Sequence, residues 1–340
     1  MKFDSSVIKS TAVVPHWQDL VKKYQFPDRW QSIWQIINSF VPFFLLYYLM
    51  YRSLSFSYGL VLLLALPAAG LLMRIFIIQH DCGHGSFFNS ARANEIVGTI
   101  CGVLTLTPYH QWRHEHAIHH ATSGDLDRRG VGDVHTLTVK EYLARSRWGR
   151  FCYRFYRHPF TLLVIGPQYI FMFRHRFVGP ASRRRERNSV YLTNAMLLAV
   201  FLSLGLTIGF KNFFLIWLPV QTISGAIGVW LFYVQHQYEN TYWRSGDEWD
   251  YAAAATLGSS YFKLPRVMQW FSGNIGFHHI HHLSPKIPNY KLQQCHEETP
   301  LFQSSTVIRF RESLRSLSLR LWDEERQRLI GFHHLNHLKR

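Results

Sequence analysis

Four apolar stretches constrain this chain more than anything else in it: roughly residues 34–51, 58–78, 190–210 and 213–234. Each approaches the ~20 helical residues that cross a bilayer core. Inside hydrocarbon the backbone must satisfy its own hydrogen bonds, and a helix does so within one segment. The first stretch is short and carries Asn38 and Pro42, while the second is clean except for Arg74 near its end. Two further runs, 95–107 and 160–173, are too short to span. They read as re-entrant, interfacial or buried core helices.

Charge gives the expected orientation. The loops after the first and third stretches hold only Arg52 and Lys211, whereas Arg113 to Arg187 is rich in arginine. Lys/Arg excess beside a span marks the cytoplasmic side, so both termini and the 79–189 region are expected inside. Residues 1–30 are polar and broken by Pro15, Lys22, Lys23 and Pro27. No signal peptide is expected there, because no apolar h-region is present. The balance of 37 Lys+Arg against 21 Asp+Glu, a formal +16, suits either nucleic acid or an anionic membrane surface. No nucleic-acid motif accompanies it, so membrane anchoring is the expectation and nucleic acid is not an expected partner. The four cysteines are scattered without a C-x-x-C pair, which argues against a disulfide framework or a zinc ribbon. The expected layout is an N-terminal cytoplasmic segment 1–33, a central domain 34–300, and a basic cytoplasmic tail 301–340. In the tail, 306–330 reads as an amphipathic helix, with six arginines among Leu and Trp.

Histidine is the second constraint: there are 20. Three tight groups stand out. They are His80-Asp-Cys-Gly-His84, His116-Ala-Ile-His119-His120 and His278-His279-Ile-His281-His282. On a helix, positions i, i+3 and i+4 share a face. His116, His119 and His120 therefore fall within an arc of ~100°, as do His278, His281 and His282, while His279 falls outside. The first group ends the second apolar stretch and the third follows the fourth, so all three can meet at one membrane face. Eight imidazoles exceed what one ion binds and suit two. A nitrogen-rich, carboxylate-poor set favours iron, copper or zinc. The His-His-Leu-Asn-His stretch at 333–337 has the wrong spacing and reads as a surface run.

With these boxes in place, the chain resembles the membrane fatty acid desaturases, specifically the acyl-lipid branch with the omega-6 (delta-12) and omega-3 enzymes. The matching residues are His80-Asp-Cys-Gly-His84-Gly-Ser-Phe, His116-Ala-Ile-His119-His120, and Asn274-Ile-Gly-Phe-His278 through His281-His282-Leu-Ser-Pro-Lys-Ile-Pro-Asn-Tyr290. The resemblance covers about residues 35–300. It implies an all-α integral membrane protein with four transmembrane helices and a cytoplasmic helical cap holding a di-iron site. It implies O2-dependent insertion of a cis double bond into an acyl chain, lipid-linked and delta-12/omega-6-like. It carries the iron ligands onto His80, His84, His116, His119, His120, His278, His281 and His282. A ninth ligand, from the end of the fourth span, falls on His236.

The chemistry fits that ligand set. An unactivated C–H bond in the middle of an alkyl tail has no acidic proton, so side-chain acid–base catalysis cannot break it, whereas an iron centre using O2 can. Reducing O2 to two waters takes four electrons; the substrate gives two and a donor the other two. No His-Pro-Gly-Gly haem motif is visible, so a separate donor, a ferredoxin or a cytochrome b5-like protein, is expected. Carboxylates behind the imidazoles should orient them. Asp81 ranks first, inside a box, with Glu115, Asp125, Asp127, Asp133 and Glu239 also available, and Asn274 is a further, neutral candidate. Arg74 must find a partner or snorkel, and a cap carboxylate is the expected partner. A bacterial inner membrane is the expected home. Two other functions use similar parts: a di-iron hydroxylase of lipids or carotenoids, and a His-rich metal transporter, which would place histidines near mid-membrane.

Overall fold

The computed structural model describes residues 17–336. The first sixteen residues and His337 lie outside the described residues. Helices dominate. α1 (Arg29–Ser53) starts at Asp28, whose side chain accepts from the Gln31 amide at 2.8 Å. α2 (Tyr58–His84) follows after a four-residue turn and ends at Gly85, whose φ of +65° lets its amide reach back to the Asp81 and Cys82 carbonyls. α3 (Ala91–Leu104) is capped by Ser90, and α4 (Tyr109–Thr122) turns back beside it. α5 (Arg147–Tyr156) leads into irregular helical turns over 161–176, including two π-helical stretches. α6 (Arg184–Leu204) and α7 (Phe210–His236) complete the long helices. The six-residue α8 (His278–Leu283) carries the third histidine group.

Among the described residues, three helical runs are long and apolar enough to cross a membrane: Arg29–Ser53, Tyr58–His84 and Arg184–His236. The third, at 53 residues, is α6 and α7 joined by a π-helical turn. Gly209, at φ +85° and ψ 135°, breaks the helix, and few residues but glycine adopt that backbone. The chain reverses there, because the Phe201 ring packs 5.0 Å from Phe213 and 5.1 Å from Trp217. The apolar stretches lie on these helical runs, the third continuing past the end of α6 at Leu204 into the π-helical turn, and α2 and α7 extend through His84 and His236 respectively. The 25 and 27 residues of α1 and α2 give ~38–40 Å of helix, more than the ~30 Å of hydrocarbon.

α2 is the central helix. Its most apolar window is 67% buried in the protein, against 22% for α1 and 17% for the α6–α7 run, so those expose most of their apolar surface. Small residues permit this packing: Ala65, Ala68 and Ala69 are buried, and a Cβ on Gly70 would sit 2.7 Å from the Phe271 ring. Glycine is also required at Gly98, where a Cβ would lie 2.3 Å from the Tyr109 ring. Tyr109 thereby reaches the Cys82 carbonyl with its hydroxyl at 2.7 Å, locking α4 against the histidine-bearing end of α2. Among the described residues, Arg74 meets no carboxylate. Its guanidinium lies 4.2 Å over the Trp270 ring and donates to the Trp270 carbonyl, because Phe271 and Trp270 already cover that side of α2.

The all-α expectation needs correction. Among the described residues there are five short strands: β1 (Leu137–Thr138), β2 (Tyr261–Lys263), β3 (Val307–Arg309), β4 (Leu321–Asp323) and β5 (Arg328–Ile330). β2 pairs with β3 in parallel, and β4 joins β1 in parallel and β5 antiparallel. The 306–330 segment is accordingly strand, a seven-residue helix and a hairpin rather than one amphipathic helix. Burial decides this: Trp322, Leu329 and Trp243 form one small core, and tertiary packing overrides helical spacing there.

Candidate metal centre

Nine imidazoles converge in two adjoining nests. The ligand atoms of His80, His84, His116, His120 and His281 all lie within 4.8 Å of one another. So do those of His119, His236, His278 and His282. These are the nine histidines singled out in the sequence, brought in by the ends of α2 and α7, by α4 and by α8. The i, i+4 pairs stay together: His80–His84 and His116–His120 in the first nest, His278–His282 in the second. The i+3 positions cross over, so His119 leaves its own group for the second nest and His281 leaves its group for the first. His279 joins neither nest. It is fully buried beside Tyr261, His296 and Phe302.

The geometry fits metal ions. Two nitrogens each ~2.1 Å from an ion and ~90° apart are ~3.0 Å from each other. Nε2 of His120 is 3.1 Å from that of His116 and 3.0 Å from that of His281. In the other nest, Nε2 of His278 is 2.9 Å from that of His236 and 3.1 Å from that of His282, which is 3.3 Å from that of His119. One imidazole nitrogen either donates or accepts, so such a web cannot be satisfied by hydrogen bonds alone. Both nests can hold a metal ion. Burial first, and then the neighbouring imidazoles, push His116, His120, His278, His281 and His282 well below the usual histidine range. They are neutral, as a ligand must be.

Behind the imidazoles stand groups that fix their rings. Asp81 Oδ1 meets His80 Nδ1 at 3.1 Å. Its other oxygen accepts from the Asn289 amide at 2.7 Å and from Asn289 Nδ2 at 2.8 Å. Gln35 of α1 is bonded in turn to the Asn289 side chain. Asp133 Oδ1 lies 2.5 Å from His119 Nδ1, and the Gly258 carbonyl is 3.1 Å from His236 Nδ1. Asn274 touches no boxed histidine; at φ +57° it donates to the Asn289 carbonyl and so braces Asp81 indirectly. Glu115 touches none either and pairs with Arg174 at 3.5 Å. Asp133 was one acid among several by sequence, Asn289 stood in the third motif with no role assigned to it, and Gln35 and Gly258 carried no signal, because a distant helix and an irregular loop deliver them.

A cavity of about 410 Å³ runs between α2, α4, α7 and the 161–175 turns. His80, His116 and His278 line it together with Leu72, Phe76, Trp112, Leu162, Phe171 and Phe232. Its volume and lining suit an apolar chain lying beside the two nests.

Residues 55–311 match the family model described as fatty acid desaturase. Among curated proteins, the chain is similar to a "Fatty acid desaturase" of Bacillus subtilis, 48% identical over 94% of this chain and 90% of that protein. It is also similar to "Omega-3 fatty acid desaturase, endoplasmic reticulum" of Vigna radiata, 32% identical over 67% of this chain and 62% of that one. A third is "sn-1 acyl-lipid omega-3 desaturase (ferredoxin)" of Synechocystis, 29% identical over 67% of this chain and 64% of the relative.

Proposed function

The chain belongs to the fatty acid desaturase family of oxidoreductases, and from that premise we propose that it is an O2-dependent di-iron enzyme inserting a cis double bond into a lipid-linked acyl chain. The observation that carries the reading is the pair of histidine nests beside an apolar cavity. His80, His84, His116, His120 and His281 would hold one iron, and His119, His236, His278 and His282 would hold the other. When bound, the irons supply the oxidising power, drawn from O2, that an unactivated C–H bond demands.

The protein's own residues then do three things. Asp81 and Asp133 accept from Nδ1 of His80 and His119, so each ring turns the lone pair of Nε2 inward. Trp112 stacks on His116 with ring centroids 4.6 Å apart, forming an apolar wall that excludes water where the acyl tail meets the metal. The cavity walls hold the acyl tail so that one pair of methylenes faces His80, His116 and His278. The tail gives two electrons and leaves with a double bond. A separate donor, a ferredoxin or cytochrome b5-like protein, gives two more, and the ferredoxin in the Synechocystis relative's name supports this. α6 and α7 act as separate spans, which with α1 and α2 makes four. Arginine excess in 113–187 supports a cytoplasmic location for the nests, the termini and the 301–340 tail, in a bacterial inner membrane around a 34–300 catalytic domain.

The test is fatty-acid methyl-ester profiling of a bacterial host that lacks polyunsaturated lipids, with and without this gene. A new cis-unsaturated ester, with the delta-12/omega-6 position sought first and the omega-3 position second, is the expected result. A hydroxylated ester in place of the olefin would transfer the protein to the hydroxylase alternative.

A further inference from the structure

The cavity has a rim with its own chemistry. Glu115 of α4, Gly132 of the following loop, Tyr156 at the end of α5, and Ile170 and Arg174 of the 161–176 turns also line the cavity, and the partial exposure of Glu115 and Arg174 marks the rim. Glu115 and Arg174 reach across this rim to each other at 3.5 Å, with side chains 30% and 38% exposed. A bridge this long and this exposed holds its partners weakly.

The surroundings of the rim are apolar. Tyr169 and Phe173 beside it are 59% and 61% exposed. α5 exposes Trp148, Phe151 and Phe155 next to Arg147 and Arg154, the pattern of a helix lying in a headgroup layer. Depth can be read from Arg176, two residues past Arg174, which donates to Asn194 Oδ1 at 2.8 Å. Asn194 stands four residues inside the apolar run 190–210, ~6 Å along the helix. The rim therefore sits near the boundary between headgroups and acyl chains, with exposed apolar rings beside it.

We propose that the Glu115–Arg174 pair closes a lateral mouth through which one acyl chain of a membrane phospholipid enters, and that Arg174 exchanges Glu115 for the lipid phosphate as it opens. The planar guanidinium suits a phosphate, which offers paired oxygens and more charge than a carboxylate. With the headgroup held at the rim, the acyl tail runs inward past Leu162 and Phe171 toward His80, His116 and His278. This rests on the desaturase reading for what happens beside the nests, but not for entry itself.

Entry is measured without turnover. The holoprotein in lipid nanodiscs is given phosphatidylglycerol with a photoreactive diazirine within one acyl chain, irradiated, and its labelled peptides are mapped by mass spectrometry. Wild type is expected to label in 161–175 and 224–235. Arg174→Gln should label about tenfold less, the scale of losing a charge-assisted hydrogen bond. Glu115→Gln should label as much or more, and a photoreactive free fatty acid should label wild type and Arg174→Gln alike. Wild-type labelling of Arg174→Gln by the phospholipid overturns the proposal. So does cavity labelling by a soluble acyl thioester with none by phospholipid. If Arg174→Gln loses both lipid probes it has misfolded, and Glu115→Gln then decides: labelling clearly below wild type overturns the proposal, and labelling at or above it sustains it. Missing desaturated product in the host would refute the enzymatic reading while leaving this result intact.

Discussion

Neighbouring histidines in one motif play unlike parts. His278 and His279 are adjacent and both buried, yet His278 Nε2 faces two other imidazoles while His279 packs among Tyr261, His296 and Phe302. His278→Ala is expected to abolish product and release iron. His279→Ala should keep bound iron and lose about 1–3 kcal/mol of stability, the ordinary cost of emptying a core position. Lipid profiles and iron content at matched expression separate the two. Asp133 is the sharper case, because its carboxylate is the sole side-chain partner of His119 Nδ1 among the described residues. Asp133→Ala should weaken iron binding by about 10–100-fold, as loss of a partner behind a metal-bound imidazole does elsewhere. Equilibrium dialysis against a chelator reads this directly. Helical arcs placed His279 apart from its neighbours in the sequence. They could not show that His119 and His281 change nests, since an arc says which way a ring points and not which ion it reaches. Asp133 was illegible as a partner because the loop over 123–136 has no period to read.

The elements were legible where hydrophobic length dominates and illegible where packing does. All four apolar stretches lie on helices, but the third and fourth form one continuous helical run whose reversal depends on a single residue, Gly209. Gly209→Val should cost about 1–3 kcal/mol, because a β-branched residue is strained at that backbone angle. A lower melting temperature in detergent, with unchanged iron per folded protein, is the expected outcome. The short runs at 95–107 and 160–173 became the re-entrant-sized α3 and the turns that wall the cavity. The failure at 306–330 has a physical cause. Leu321, Trp322, Leu329 and Ile330 are all buried, on two three-residue strands separated by a turn, and their spacing also fits a helix face when partners are unknown.

At the scale of the whole molecule, the structure is a set of helices whose ends deliver nine imidazoles to one place. α2 and α7 each run past their apolar stretch to set His80, His84 and His236 against α4 and α8. The site depends on this assembly, since no single element supplies more than three of the nine. His236 shows it best: it closes the second nest from the last turn of α7, with Nε2 2.9 Å from that of His278. An interfacial histidine would tolerate Gln, which keeps hydrogen bonding, whereas an iron ligand would not. His236→Gln is expected to lose most desaturation and part of its iron while reaching the membrane normally. The measurement that bears most directly on the whole account is metal content per protein molecule, after expression with controlled iron and zinc and purification without chelators. The two nests predict about two irons per wild-type molecule with little zinc, and less iron in His236→Gln. Stoichiometric zinc without iron, or full iron occupancy in His236→Gln with wild-type product, would contradict it.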